Sequence, residues 1–345
     1  MRPEVRTEEI EPGLEFAVDL MRPADAPGVA ALFQSVYGQG YPIRTYLEPA
    51  ALVEANQQGT IVSSVARTTR GDIVGHNAIF NSAPSPKVYE SGAGVVLPSY
   101  RQGNIFSRMC RHGIEVAAPR FGVEMVFGEP VCNHVYSQKM TRTLGTVSLT
   151  LEVDLMPAAA YAREKSAEGR VAALLDFIIV RSKPHAVYLP GSYQEALTWL
   201  YAGLDEQREL RPAQGGPPAE RVSRLEAHFF PFAQLVRLAA WEIGVDFAAA
   251  LEAKEQEGLA QGAEVFQVWL PLGCPWVGAA AEELRARGYF FGGLLPRWFD
   301  ADGMMMQKTT HRPHWEGIKL EFERAQKILV LVKRDWERTG QGHGS

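Results

Sequence analysis

Short apolar runs alternate with amphipathic segments along this chain, and that alternation sets the elements to expect. Phe16-Ala17-Val18-Asp19-Leu20-Met21 reads as a first strand. After Arg22-Pro23-Ala24-Asp25, a helix over Val29–Tyr37 places Leu32, Phe33 and Val36 on one face. A second helix is expected over Pro49–Gln57. Thr60–Arg67 and Ile73–Phe80 flank Arg70-Gly71-Asp72, a tight-turn sequence between β-rich runs, so they predict a hairpin. Val88–Leu97 is a further strand, but Ser91-Gly92-Ala93-Gly94 lies inside it. Glycines within a strand predict a bulge or the close approach of another group. Pro98 ends that strand, because proline has no N–H for a sheet ladder. A polar turn follows, then a helix over Ile105–Ala118 that should stop before Pro119. Strand Val123–Gly128, helix Val135–Leu144 closed by Gly145, and strand Val147–Leu155 complete the first half.

The second half is patterned in a similar way. An alanine-rich, helical-looking stretch follows Met156-Pro157, and Val171–Val180 is an apolar run that periodicity alone leaves as either strand or buried helix. A helix is expected around Tyr193–Tyr201. Arg211-Pro212-Ala213-Gln214-Gly215-Gly216-Pro217-Pro218 reads as a linker. Beyond it come strands Val222–Phe229 and Ala233–Trp241, helix Asp246–Leu259, strand Glu264–Leu270 and helix Ala279–Arg287. Paired strands Tyr289–Leu295 and Met304–Lys308 follow, then a last helix over Phe322–Glu337. Residues 1–14 and 339–345 are expected to be frayed.

Composition narrows the function classes. With 345 residues, 46% hydrophobic and 22% charged, the chain can form two domains with real cores. A net charge of -5 argues against a dedicated nucleic-acid binder. Cys110, Cys132 and Cys274 form neither a disulfide framework nor a zinc spacing, which suits a reducing cytoplasm. The charged N-terminus is no signal peptide, and no apolar run reaches membrane-spanning length. The eight histidines make no metal spacing, and Met304-Met305-Met306 reads as a core face of a strand. There is no Gly-x-Ser-x-Gly elbow, Walker loop or His-Glu-x-x-His.

One stretch does carry chemistry. In Gly94–Met109 a strand runs through a polar turn into a helix N-terminus near Asn104. Unpaired backbone N–H groups and the helix dipole make such a junction an anion site, and Arg101 adds a full positive charge. A pyrophosphate suits it. The stretch resembles the acetyl-CoA pyrophosphate loop of the Gcn5-related N-acetyltransferases (GNAT). The family pattern Arg/Gln-x-x-Gly-x-Gly/Ala falls on Arg101, Gln102, Gly103, Asn104, Ile105 and Phe106. Asn104 and Phe106 depart from it, standing where the family has glycine, and glycine or alanine. The order strand, two helices, three strands, helix, strand, helix, strand over 15–156 is also the family's.

The resemblance implies an α/β fold with a mixed sheet. An acetyltransferase domain would span 15–182, with Val171–Val180 as a seventh strand. A connecting helix and linker would occupy 183–218, and a degenerate second acetyltransferase-like domain 219–338. Acetyl-CoA, as acyl donor, is then expected on the bulged strand at Val95, Val96 and Leu97, on the loop Arg101–Phe106 and at Asn133. Tyr37, Tyr41 and Arg44 are acceptor-side candidates, with Tyr46 beside them. Glu129 is the first choice for general base, with Glu90 and His134 next. The family's thiolate-protonating tyrosine is replaced by Thr141, a poor acid, for which Tyr136 or Ser137 could substitute. The expected activity is acetyl transfer to a primary amine of a small molecule by direct attack in a ternary complex, without metal, nucleic acid or membrane. The alternatives are a non-catalytic acyl-CoA-binding regulator or scaffold and, third, a pure interaction module. Oligomeric state is open, a homodimer included.

Overall fold

The computed structural model describes Thr7 and residues 10–161 and 166–340. The first residues of the chain, the middle of the alanine-rich stretch and the last five residues, each the subject of an expectation above, lie outside the described residues. Two compact units divide the chain: Met1–Gly128 with Ile178–Arg181, and Glu129–Phe177 with Ser182–Ser345.

The first unit holds β1 (Phe16–Leu20), α1 (Ala26–Tyr37), α2 (Pro49–Gln58), β2 (Ile61–Thr68), β3 (Ile73–Asn81), β4 (Val88–Val96), α3 (Ile105–His112), α4 (Ala118–Arg120) and β5 (Met125–Gly128). Its strands lie in the order β1-β2-β3-β4-β5. The first three pairings are antiparallel and β4–β5 is parallel. Alternation along β3 separates the helices onto two faces. A side chain at Gly75 would meet Met109 of α3, whereas the His76 ring packs edge-on against Phe33 of α1. The Arg22-Pro23-Ala24-Asp25 turn is fixed by Asp25. Its carboxylate accepts from the Arg22 N–H at 2.7 Å and from Arg67 Nε at 2.9 Å.

One expectation fails here: the helix does not end before Pro119. After α3 the chain continues through a π turn, Gly113–Ala117, into α4. The wider turn opens the hydrogen-bond ladder where the proline, lacking an N–H, would otherwise disrupt it.

The second unit contains α5 (Tyr136–Thr143), β6 (Val147–Met156), β7 (Val171–Ile179), β8 (His185–Leu189), α6 (Gln194–Tyr201), β9 (Arg208–Pro212), β10 (Arg224–Phe230), β11 (Leu235–Glu242), α7 (Phe247–Ala260), β12 (Val265–Pro271), α8 (Val277–Ala286), β13 (Phe290–Phe299), β14 (Ala301–Thr309) and α9 (Glu323–Arg338). Its main sheet runs β7-β6-β13-β14-β12-β11-β10. The ambiguous run at 171–180 is therefore a strand, antiparallel to β6. β11 and β12 are parallel, with α7 as the crossover.

The segment read as a connecting linker is more ordered than its composition implies. β8 and β9 pair in parallel, so Arg211 and Pro212 lie in a strand. Asp302, fully buried, organises this region: its carboxylate accepts from Arg208 Nε at 2.7 Å and from the Tyr201 hydroxyl at 3.0 Å. Burial alone would raise the pKa of Asp302, but bonds from His185 and Arg208 outweigh it and hold it at about 2. A linker reading misses such a centre because its partners lie about a hundred residues apart. The three cysteines are free: Cys110 and Cys132 are buried and Cys274 half-buried. Burial pushes the Cys110 thiol up to about 12 and raises Cys132 and Cys274 as well.

Candidate functional site

The expected junction of strand, turn and helix N-terminus is present in the first unit. β4 pairs with β5 at only three positions, Val88↔Met125, Tyr89↔Val126 and Glu90↔Phe127. β4 continues to Val96 while β5 stops at Gly128, so the two strands part after Glu90. The expected bulge sits just past this parting. On β3, His76 opposes Val95 and Ala78 opposes Gly92, so Asn77 faces both Ala93 and Gly94. Ala93 takes a left-handed conformation (φ 50°), rare for a residue with a Cβ.

Beyond the strand, Tyr37, Gly94, Val95, Val96, Arg101, Gly103, Ile105 and Phe106 line one open cleft of about 250 Å³. Gly103 (φ 139°) makes the turn that only glycine adopts readily, and Asn104 is the N-cap of α3. The first intrahelical bond runs from the Arg108 N–H to the Asn104 carbonyl (2.9 Å). By helix geometry, the N–H groups at the start of α3 therefore point out of the helix end. Arg101 is exposed, and its Nε donates to the Val96 carbonyl at 3.2 Å, which anchors the guanidinium beside the turn.

Phe106, the departure hardest to reconcile with a phosphate loop, packs its ring over Gly94. A Cβ at Gly94 would collide with it. The aromatic residue and the glycine thus fit as a pair, with the ring laid along the bulged strand against the core. Leu97 does not belong to the cleft: its side chain is buried and its N–H donates to the Val74 carbonyl at 2.9 Å. Gln102 is exposed in the turn.

Aromatic residues gather on the α1 face. Phe33 stacks on Tyr46 with centroids 5.0 Å apart, and Tyr41 lies 4.8 Å from Phe33 and 5.1 Å from Tyr37. The Tyr37 hydroxyl donates to the Gly94 carbonyl at 3.4 Å, joining this cluster to the bulge. Burial, then the neighbouring Tyr37 and Glu90, pushes the Tyr41 phenol up to about 12. Glu90, on the last paired rung of β4, accepts from the Ser82 hydroxyl at 2.9 Å. Arg44 stands apart, 3.9 Å from Glu48 in an exposed pair.

The remaining candidates lie in the second unit. Glu129 faces Arg237, whose Nη2 is 3.3 Å from it and 2.9 Å from Glu152. Glu152 is 1% exposed; burial raises its pKa above the usual carboxylate range, against the pull of Arg237. The first-choice base is thus held in a three-residue charge cluster, which sequence could not reveal because Arg237 is 108 positions away. The Asn133 amide donates to the Ser166 hydroxyl at 3.0 Å. Tyr136 is 77% exposed, and its ring lies 5.5 Å from that of His134. Thr141 is not available as an acid: its buried hydroxyl donates to Asp176 at 2.6 Å.

Sequence reasoning also passed over His76. It lies between Val74 and Ala78 on one face of β3, a strand buried on both faces from Ile73 to Ile79. A histidine on such a face needs partners for both ring nitrogens. It has them, in Ala93 and Ser63.

The sequence matches no protein-family model and no curated protein. Solved structures similar to this chain include an N-acetyltransferase from Staphylococcus aureus Mu50, 14% identical, with a TM-score of 0.39 over 48% of this chain and 99% of that one. Another is a ribosomal-protein-S5-alanine acetyltransferase from Vibrio fischeri, 15% identical, with a TM-score of 0.38 over 50% and 94%. A third is yncA from Salmonella typhimurium, solved with its cofactor acetyl-CoA, 12% identical, with a TM-score of 0.39 over 49% and 96%. Over its first half the chain shows the element order expected above, strand, two helices, three strands, helix, strand, helix, strand.

Proposed function

We propose that the chain is an acetyl-CoA-dependent N-acetyltransferase acting on a small primary amine. The observation that carries this reading is the opening of β4 from β5 at Glu90, with a bulge and an exposed helix N-terminus following on the same strand. The N-terminus of α3 and Arg101 would hold the pyrophosphate, and the unpaired edge of β4 beyond Glu90 would take the pantetheine arm. Tyr37 and Tyr41 beside the Glu90 carboxylate suit an ammonium-bearing acceptor, which both π-faces and a carboxylate attract, and buried Tyr46 packs behind them.

Glu90 is our candidate base in place of Glu129. It accepts the proton of the attacking amine, directly or through one water. The new C–N bond forms as the thioester C–S bond breaks, and the leaving thiolate takes its proton from solvent, since Thr141 is engaged with Asp176. That missing acid favours a second reading, in which the site binds acyl-CoA without turnover.

Calorimetry of acetyl-CoA with wild type and Arg101→Ala, followed by thiol release with ethylamine, 2-phenylethylamine and spermidine, tests both. We expect the substitution to weaken binding about 10- to 100-fold, the loss of a charge-assisted phosphate contact. Glu90→Gln should slow turnover about 100-fold at unchanged acetyl-CoA affinity. Binding without thiol release for any amine would select the second reading. No binding by wild type would end both.

A further inference from the structure

The bulge on β4 is held by a relay that begins on α2. The Asn56 side chain clasps Ser63: its Oδ1 accepts the Ser63 N–H at 2.8 Å, and its Nδ2 donates to Ser63 Oγ at 3.2 Å. With that oxygen already accepting, the Ser63 hydroxyl proton is directed at His76 Nε2, 3.0 Å away. The other ring nitrogen, Nδ1, lies 2.9 Å from the Ala93 carbonyl. A carbonyl oxygen can only accept, so the proton of the neutral imidazole sits on Nδ1. The ring is fully buried between Phe33 and Tyr46, with no room to turn.

Ala93 is the residue of the bulge with positive φ, and its carbonyl belongs to the same peptide as the Gly94 N–H. No described peptide is cis, so that N–H points opposite to the carbonyl, away from the imidazole. Gly94 itself lines the cleft. We infer that His76 is a positioning residue: by holding the Ala93 carbonyl it aims the Gly94 N–H into the cleft, as the donor that meets a thioester carbonyl oxygen. This deepens the function proposed above and rests on it for the identity of the ligand. The hydrogen bonds of the relay end at Ala93 and include no residue of the turn Arg101–Asn104, so its main effect is expected at the acyl end.

The test separates these claims. In wild type, nitrogen NMR of the labelled imidazole at neutral pH is expected to show the proton on Nδ1; a proton on Nε2 overturns the relay. Acetyl-CoA and CoA are then titrated into wild type, His76→Leu and His76→Asn. Wild type should prefer acetyl-CoA over CoA by about 5- to 10-fold, the worth of one well-aimed hydrogen bond. His76→Leu should erase that preference while its CoA affinity stays within about 3-fold of wild type. His76→Asn, which keeps an N–H near the place of Nδ1, should restore most of it. A preference unchanged in His76→Leu overturns the inference. If His76→Leu does not fold, Ser63→Ala replaces it: the Ala93 carbonyl still keeps the ring proton on Nδ1, while loss of the hydroxyl that holds Nε2 is expected to loosen the ring and shrink the preference. Absence of binding of either ligand to wild type brings down the function reading instead, and the imidazole tautomer then decides alone whether His76 holds the bulge.

Discussion

Both units contain a strand that pairs in parallel with the next and turns into a helix, and the two turns end differently. In the first unit β4 runs through Arg101–Asn104 into α3, and around Gly103 nothing lies within 4 Å of the place a Cβ would take. In the second, β11 runs through Ile243-Gly244-Val245-Asp246 into α7, and the chain itself fills that junction. A Cβ at Gly244 would strike the backbone of Arg221 and Val222. The Val245 N–H donates to the Arg221 carbonyl at 3.0 Å, and Asp246 accepts the Ser223 N–H at 2.7 Å. The parallel ladders differ too. Counting from the first rung, the third pairs Glu90 with Phe127 in one and Arg237 with Gln267 in the other. One topology yields an open cationic turn beside a carboxylate; the other yields a plugged acidic turn beside a guanidinium. Anion binding at a helix N-terminus thus depends on what occupies the turn, and the helix dipole alone does not make a site.

The contrast can be broken most severely at the third rung. Arg237→Ala leaves Glu152 buried without its cation, and should cost about 3–5 kcal/mol in denaturant unfolding. Acetyl-CoA affinity should be unaffected if the second unit only supports the first. The next test uses titration, where the two units have opposite signs. Burial holds the His76 pKa at about 4, below its usual 6.5. The unfolded chain then binds the extra proton first, and stability falls as pH drops from about 6.5 to 4, by about 3 kcal/mol. The gap in unfolding free energy between wild type and His76→Asn, measured across that range, should change by this amount. Glu152, whose pKa is raised by burial, loses stability in the other direction, as pH rises past the ordinary carboxylate range.

A smaller effect is expected at the plugged turn. Gly244→Ala pushes on the backbone at 221–222 and should cost about 1–3 kcal/mol, with no change in acetyl-CoA binding. Smallest is the repair of a paired substitution at the open turn. Gly94→Ala should destabilise by about 1 kcal/mol through its collision with Phe106, and Phe106→Ala should return part of that loss. Additive effects would show that ring and glycine are not coupled.

These differences also explain what was legible in advance. The hairpin at Arg70-Gly71-Asp72, the bulge at Gly92–Gly94 and the turn at Arg101–Asn104 were readable because each is set by local backbone chemistry. The order of strands followed from the same short-range signals. Contacts made over long separations were not readable. Glu129 stood at a strand end with no sign of Arg237 beside it, and Thr141, read as a poor acid, gave no sign of its bond to Asp176. Pro119 misled for a different reason: a local rule was right about the proline, but the π turn before it absorbed the fault. His76 sits in a near-continuous buried run, and its signal went unused because a polar residue in such a run announces burial without naming its partners.

The buried cysteines bear on how any of this can be measured. A thiol reagent detects free CoA by reacting with thiolate, and a protein with accessible, acidic cysteines obscures that signal. Here Cys110 and Cys132 are sealed in the interior, and all three thiols are pushed toward their unreactive protonated form. Half-buried Cys274 is the one thiol of the folded protein open to a colorimetric thiol probe. A slow release of CoA can be followed continuously against it, and a sudden rise in protein-derived signal reports unfolding in the same cuvette.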